Sequence, residues 1–161
     1  MAAGADGRAQ GPEERLAALG LAASELPAPV ASYVPTAATG SLVFTSGQLP
    51  WRSGELIAVG AVGHVVTVEE AAMCAQQCAL NAIAALRAEV GDLARVRRVV
   101  KVVVFVASAP DFTGQPQVAD GASHLLGEVF GEAGVHARSA VGVAALPLGA
   151  PVEVELVVEV G

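Results

Sequence analysis

Residues 136–160 read HARSAVGVAALPLGAPVEVELVVEV, and the pattern inside this stretch decides what kind of sheet the chain builds. Two runs with strand character, Arg138 to Leu146 and Pro151 to Val160, are separated by Pro147, Leu148, Gly149 and Ala150, whose proline and glycine break helix and strand alike. In the second run Val152, Val154, Leu156, Val158 and Val160 fall on one face, and Glu153, Glu155 and Glu159 on the other. That alternation marks a strand with one dry face. Arg138 opens the first run among small residues, with the glutamate-bearing strand to follow. Such an arginine suits a small carboxylate ligand, because the planar guanidinium can grip both carboxylate oxygens. Taken alone, it is equally an ordinary strand-edge cation beside a solvated acidic face. If the two runs closed as a tight hairpin about Leu148 and Gly149, Arg138 would lie opposite about Glu159 and Glu153 opposite about Ala144. The two charged residues would then be roughly 20 Å apart along the strands and could share a site only across a subunit boundary.

Upstream, Val96 to Ala107 (VRRVVKVVVFVA) is a nearly continuous apolar run after a basic start, as expected of a strand covered on both faces. One face would meet helices; the other needs a second sheet that a chain of this size does not obviously supply. Thr67 with Glu70 matches a capping box, and Val68 to Val90 sustains helical spacing through Ala71, Ala75, Cys78, Ala79, Ala82 and Leu86 up to Gly91. Gln117 to Phe130 reads as a second helix despite Gly121 and Gly127, and Pro12 to Leu19 as a short one with Gly20 past its end. Ser41 to Gln48 (SLVFTSGQ) reads as a strand ending in a small polar turn, and Ile57 to Val66 as another, with Trp51 to Glu55 as connection. Leu26 to Pro35, with three prolines, is expected to run extended; it carries Tyr33, the only tyrosine, which the sequence favours as a packing anchor. Residues 1–11 lack apolar periodicity and are expected to be mobile, leaving 12–161 as a single domain. The result is an α+β order of strand, strand, helix, strand, helix, strand, strand, both main helices layered on one sheet.

Composition narrows the function classes. With 53% hydrophobic and 16% charged residues, the chain has more apolar surface than one small domain readily hides, which points to self-association. A formal net charge of −7 argues against nucleic acid as a partner. No apolar run is long enough to cross a bilayer, and the N-terminus lacks a secretory h-region, so a cytoplasmic location is expected. Cys74 and Cys78 share a helix face without CxxC spacing and read as small buried hydrophobes. His64, His124 and His136 lie far apart without ligand spacing, so no metal is expected. Ser46, Ser123 and Ser139 lie outside any G-x-S-x-G elbow, and no phosphate loop is present.

Four segments in order, FTSGQLP at Phe44 to Pro50, CALNAIAALRAEVGDLARV in the capped helix, VVKVVVFVASAPDF, and HARSAVGVAALPLGAPVEVE, resemble the Rid family, the reactive intermediate deaminases also called YjgF-like proteins. The resemblance covers about Tyr33 to Val160 and is similar most of all to a subgroup whose substrates are poorly defined. It implies a chorismate-mutase-like mixed sheet with two helices on one face. It also implies a homotrimer whose sheets form a central barrel, with ligand clefts between subunits. The implied activity is cofactor-independent hydrolysis of 2-imino acids or their enamine tautomers to 2-keto acids and ammonia. Carried over by motif, Arg138 would clamp the substrate carboxylate and Glu153 would orient or deprotonate water and help protonate the departing nitrogen. Ser46 and Gly47 would line the nitrogen side, and Tyr33 would close the cleft from a neighbouring subunit. Two departures stand in the arginine strand: Ala140 where many relatives carry cysteine, and Gly142 in place of a frequent glutamate. The usual asparagine before the second helix is also missing, and Asp120 lies in that general area without an assigned role. Trp51 and Arg52 either narrow the cleft or form an exposed loop. The rival classes are a noncatalytic binder of small carboxylates and, from a label attached to some relatives, an endoribonuclease.

Overall fold

The alternating run becomes the middle strand of a five-stranded mixed sheet. The structure, a computed structural model, describes residues 10–21 and 32–161. Its sheet runs in the order β1 (Thr36–Thr39), β2 (Leu42–Thr45), β7 (Val152–Val160), β5 (Val96–Ala107), β6 (Ala137–Val143). β7 pairs antiparallel with both β2 and β5, whereas β6 lies parallel to β5 at the sheet's edge. The hairpin considered for the last two strands therefore does not form. The apolar strand β5 takes the interior place between them, where a run without exposed polar positions is most stably buried. The connection passes through a short 3₁₀ turn at Pro147–Gly149, with Leu148 and Gly149 at positive φ.

Among the described residues three α-helices, α1 (Pro12–Ala18), α2 (Val68–Val90) and α3 (Gln115–Phe130), flank the sheet; α2 and α3 supply most of the helical core. Val99, Val102, Val104 and Val106 of β5 and Val152, Val154, Leu156 and Val158 of β7 face the helices and are sealed from water. They meet the small-residue face of α2, where Cys74 and Cys78 are 1% and 0% exposed, as their reading as small hydrophobes requires. α2 starts as expected: Glu70 N–H donates to Thr67 Oγ1, and the Glu70 carboxylate accepts from Thr67 N–H. Both glycines of α3 are accommodated, one of them by close contact, since a Cβ at Gly121 would overlap the backbone carbonyl of Ala72 on α2.

Two sequence expectations fail for local reasons. Residues 57–66 are not a strand, because Gly60 and Gly63 take φ of 122° and 86° and fold the segment back on itself. Only Val62 forms bridges, to Val66 and to Ser108. Trp51–Arg52 (β3) and Glu55–Leu56 (β4), expected as a connection, form a two-stranded hairpin. Its turn residues Ser53 and Gly54 have φ of 53° and 86°, the doubly positive pair that suits the twist of a tight hairpin. Residues 1–9 and most of the proline-rich Leu26–Pro35 stretch lie outside the described residues.

The sheet face turned away from the helices has no cover among the described residues. Phe44 and Val141 there are each 42% exposed, with Val103, Phe105 and Val157 half-buried beside them.

Candidate active site

Glu153 occupies a niche made by an irregularity in the β2–β7 pairing. Pairing stops at Phe44 with Val157 and resumes as a bridge between Gln48 and Val154, so β2 carries one residue too many. Leu156 N–H donates instead to the buried Thr45 Oγ1 at 3.0 Å. The surplus pushes Ser46 and Gly47 across the Glu153 side chain, where a Cβ at position 47 would overlap its carboxylate oxygen. A side chain at position 47 would have to displace the Glu153 carboxylate from this place. Ser46 turns the other way: its N–H donates to Pro35 O at 2.8 Å and its hydroxyl to Val34 O at 2.6 Å. It thereby holds the segment that follows Tyr33, a residue 57% exposed. Beyond the niche, buried Asn81 donates to Leu49 O and Trp51 O at 2.9 and 3.0 Å and accepts from Gln77 Nε2, fixing the strand exit to α2. Burial, and secondarily the charge of Glu155, raise the Glu153 carboxyl above its ordinary pKa.

Arg138 sits elsewhere. It pairs with Val102 on edge strand β6 and points to the helix side, against α3. Nη1 donates to Asp120 Oδ1 at 2.7 Å and to Ser123 Oγ at 3.1 Å, two residues one helical turn apart. The Arg138 side chain is one-quarter exposed. Ser123 Oγ lies 2.9 Å from His136 Nε2, and His136 Nδ1 lies 2.5 Å from Gly134 O. Ala140 and Gly142 follow on the same face of β6. Gly142 leaves room for Gln115 Nε2 and Ser108 Oγ, which a Cβ would approach to 2.9 and 3.1 Å. These residues, with His64 and Phe112, line a groove of about 590 Å³ that starts four residues along the strand from Arg138. Arg52 is exposed and lines a separate depression of about 250 Å³ over α2, together with Glu70, Met73, Cys74 and Gln77.

The predicted residues thus fall into two half-sites. Ser46, Gly47 and Glu153 come together, with Tyr33 linked to them only through the neighbouring Val34 carbonyl that Ser46 binds; Arg138 does not join them. Glu153 pairs across from Phe105 and Arg138 from Val102, on opposite sides of β5. Three residues along a strand and two strand spacings give a Cα separation of about 14 Å. Glu153 also points to the face opposite the buried Val152 and Val154, whereas Arg138 points to α3. Within one chain the two cannot converge on a small ligand. Sequence reasoning passed over Ser123 and His136 and left Asp120 unassigned. The available signal was spacing: Asp120 and Ser123 at i, i+3 on a helix, His136 and Arg138 at i, i+2 on a strand.

The fold that carries these half-sites is matched in known proteins. Residues 13–160 fit the family model described as "YjgF/chorismate_mutase-like, putative endoribonuclease". The chain belongs to the YjgF/chorismate-mutase-like family. Protein TCP17 of Trypanosoma cruzi is 47% identical over 142 residues, 88% of this chain and 89% of that protein. The crystal structure of protein Atu1372 from Agrobacterium tumefaciens superposes with a TM-score of 0.85 at 45% identity, covering 93% of this chain and 92% of that one. The crystal structure of Escherichia coli TdcF with bound serine superposes at 0.61 with 26% identity, covering 84% and 93%. The mixed α+β sheet of the YjgF-like fold is therefore the fold of this chain.

Proposed function

We propose that the protein is a cofactor-independent hydrolase of small 2-imino acids or enamines, acting as a homotrimer with its sites at subunit boundaries. Arg138 of one subunit anchors the substrate carboxylate. Glu153 of the next orients or deprotonates the attacking water, and Ser46 and Gly47 line the nitrogen side with Tyr33 at the rim. The observation that carries this reading is the Glu153 niche: a half-buried carboxyl with a raised pKa, pressed against glycine backbone. A group that takes and returns a proton near neutrality needs such a shift. Two features support assembly: the half-sites face opposite sides of the sheet, and an apolar face lies open among the described residues. TdcF, with its bound serine, supports a ligand bearing an α-carboxylate. A net charge of −7 counts against ribonuclease action, against a membrane surface and in favour of a small-molecule partner. Among the described residues no helix is long and apolar enough to cross a membrane, and a cytoplasmic location belongs to the same proposal.

The test generates imino acids of graded size in situ with an amino-acid oxidase and traps the unhydrolysed imine with semicarbazide. Wild-type protein should accelerate imine loss. Arg138→Ala should remove the acceleration by raising KM, and Glu153→Gln should lower kcat by roughly 10²-fold or more while carboxylate binding persists. A folded wild-type protein that leaves the buffer rate unchanged for every imine would move the reading to a noncatalytic carboxylate binder.

A further inference from the structure

Arg138 is held through one nitrogen only. Its Nη1 donates to Asp120 Oδ1 at 2.7 Å and to Ser123 Oγ at 3.1 Å, which commits both protons of that nitrogen. Nε and Nη2 form the other edge of the guanidinium, whose parallel N–H bonds can take a carboxylate bidentately. Neither has a partner among the described residues. The two acceptors lie one turn apart on α3, and that helix is itself seated, with Gly121 packed against the Ala72 carbonyl of α2. Ser123 is braced in turn by His136 Nε2 at 2.9 Å. The serine oxygen accepts from Arg138 whichever of the two, serine or histidine, supplies the proton between them. An arginine on an edge strand otherwise has a long, rotamer-rich side chain whose head swings freely. Two contacts that remove this freedom before a ligand arrives leave the ligand less to order. A carboxylate beside the anchor also repels an incoming one. Asp120, however, is 48% exposed and bound away from the open edge, so solvent screens that repulsion.

Resting on the reading of Arg138 as the carboxylate anchor, we propose that Asp120 and Ser123 are its positioning residues: they pin Nη1 to α3 so that the Nε/Nη2 edge stands open, already aimed, for one carboxylate. Both act through the arginine and neither touches the ligand. Their role is therefore confined to binding, and the chemistry is left to Glu153 of the next subunit. Asp120 supplies the stronger hold, a short charge-assisted bond, and Ser123 fixes the plane of the guanidinium by taking the second proton of the same nitrogen. A half-exposed ion pair of this kind contributes little to the stability of the fold, so its removal leaves the chain folded and the effect on the anchor readable.

The probe is pyruvate, titrated calorimetrically into the intact protein alongside the semicarbazide assay. Asp120→Ala should weaken pyruvate binding by roughly 3–10-fold, the loss expected when the ligand itself must order one long side chain. KM should rise by the same factor with kcat kept within about twofold. Asp120→Asn keeps an acceptor oxygen and loses only the charge, so it should restore most of the affinity. A readout independent of ligand is the ¹⁵N spectrum of the Arg138 guanidinium. In wild type the pinned Nη1 should stop rotation about Nε–Cζ and give separate Nη1 and Nη2 signals, which should merge in the double variant Asp120→Ala, Ser123→Ala. Pyruvate affinity and KM that stay at wild-type values in the double variant overturn the positioning role and leave imine hydrolysis standing. Tighter pyruvate binding in Asp120→Asn also overturns it, since Asp120 would then compete with the ligand. Binding that falls in Asp120→Ala and recovers in Asp120→Asn, with no imine hydrolysis by wild type, supports the positioning role and overturns the hydrolase reading. Wild-type protein that does not bind pyruvate overturns the positioning role together with the anchor on which it rests.

Discussion

At the scale of single residues, the environment of Glu153 has a consequence that is independent of substrate. Burial and the Glu155 charge raise its pKa in the folded chain above the ordinary 4.5. The folded state then holds that proton more tightly than the unfolded one, so the side chain's contribution to stability is fully present below the ordinary value and is lost as pH rises through the folded value. Glu153→Gln removes the titration. The variant should be more stable than wild type at pH 7.5 in urea unfolding, and the advantage should vanish below pH of about 4.5, where wild type is protonated in both states. An advantage of equal size at both pH values would show that the carboxylate is not desolvated. Arg138 stood out in the sequence as a lone cation among small residues, whereas Glu153 is one of three acids on the same strand face and was singled out only through the family resemblance. The partners of Arg138 were not legible. Asp120, Ser123 and His136 meet it only because α3 packs along β6, and that contact is set by tertiary structure.

At the scale of elements, α3 shows how composition and packing compete. Its two glycines both read as helix-weakening, yet the structure separates them. A Cβ at Gly121 would overlap the Ala72 carbonyl, a backbone group that cannot swing aside, whereas a Cβ at Gly127 meets nothing within 4 Å. Gly121→Ala should therefore destabilise by about 1–3 kcal/mol through overpacking. Gly127→Ala should stabilise by about 0.5–1 kcal/mol through the lower backbone entropy of the unfolded chain. Urea midpoints of the two variants should move in opposite directions from wild type, and movement in the same direction would remove Gly121 as the point of closest α2–α3 approach. The same competition explains what the sequence did and did not reveal about the fold. The capped helix α2 and the apolar strand β5 declare themselves through long periodic runs. The stretch 57–66 has apolar residues at strand-like density, but Gly60 and Gly63 at positive φ turn it into a loop. The β3–β4 hairpin hides in two-residue strands too short to show any period.

At the scale of the whole molecule, the order of strands leaves a sheet with one face sealed by helices and the other open. An isolated chain would present Phe44, Val141, Val103, Phe105 and Val157 to water as one patch. Lys101, which donates to Ser139 at 2.8 Å, is a polar link within that face. Such a patch is characteristic of an assembly surface. Val141 discriminates assembly from folding, because it is 42% exposed on the edge strand and contributes nothing to the sealed core. Val141→Lys should leave the stability of the single chain within about 0.5 kcal/mol, as for other surface substitutions. Three desolvated ammonium groups brought together in a closed barrel would instead be strongly unfavourable. Light scattering should therefore show wild type as a closed oligomer of three chains and the variant as a folded monomer. If the half-sites meet only across the boundary, imine hydrolysis must disappear with the assembly while circular dichroism is unchanged. A monomeric variant retaining wild-type kcat would mean that Arg138 and Glu153 never act on the same substrate.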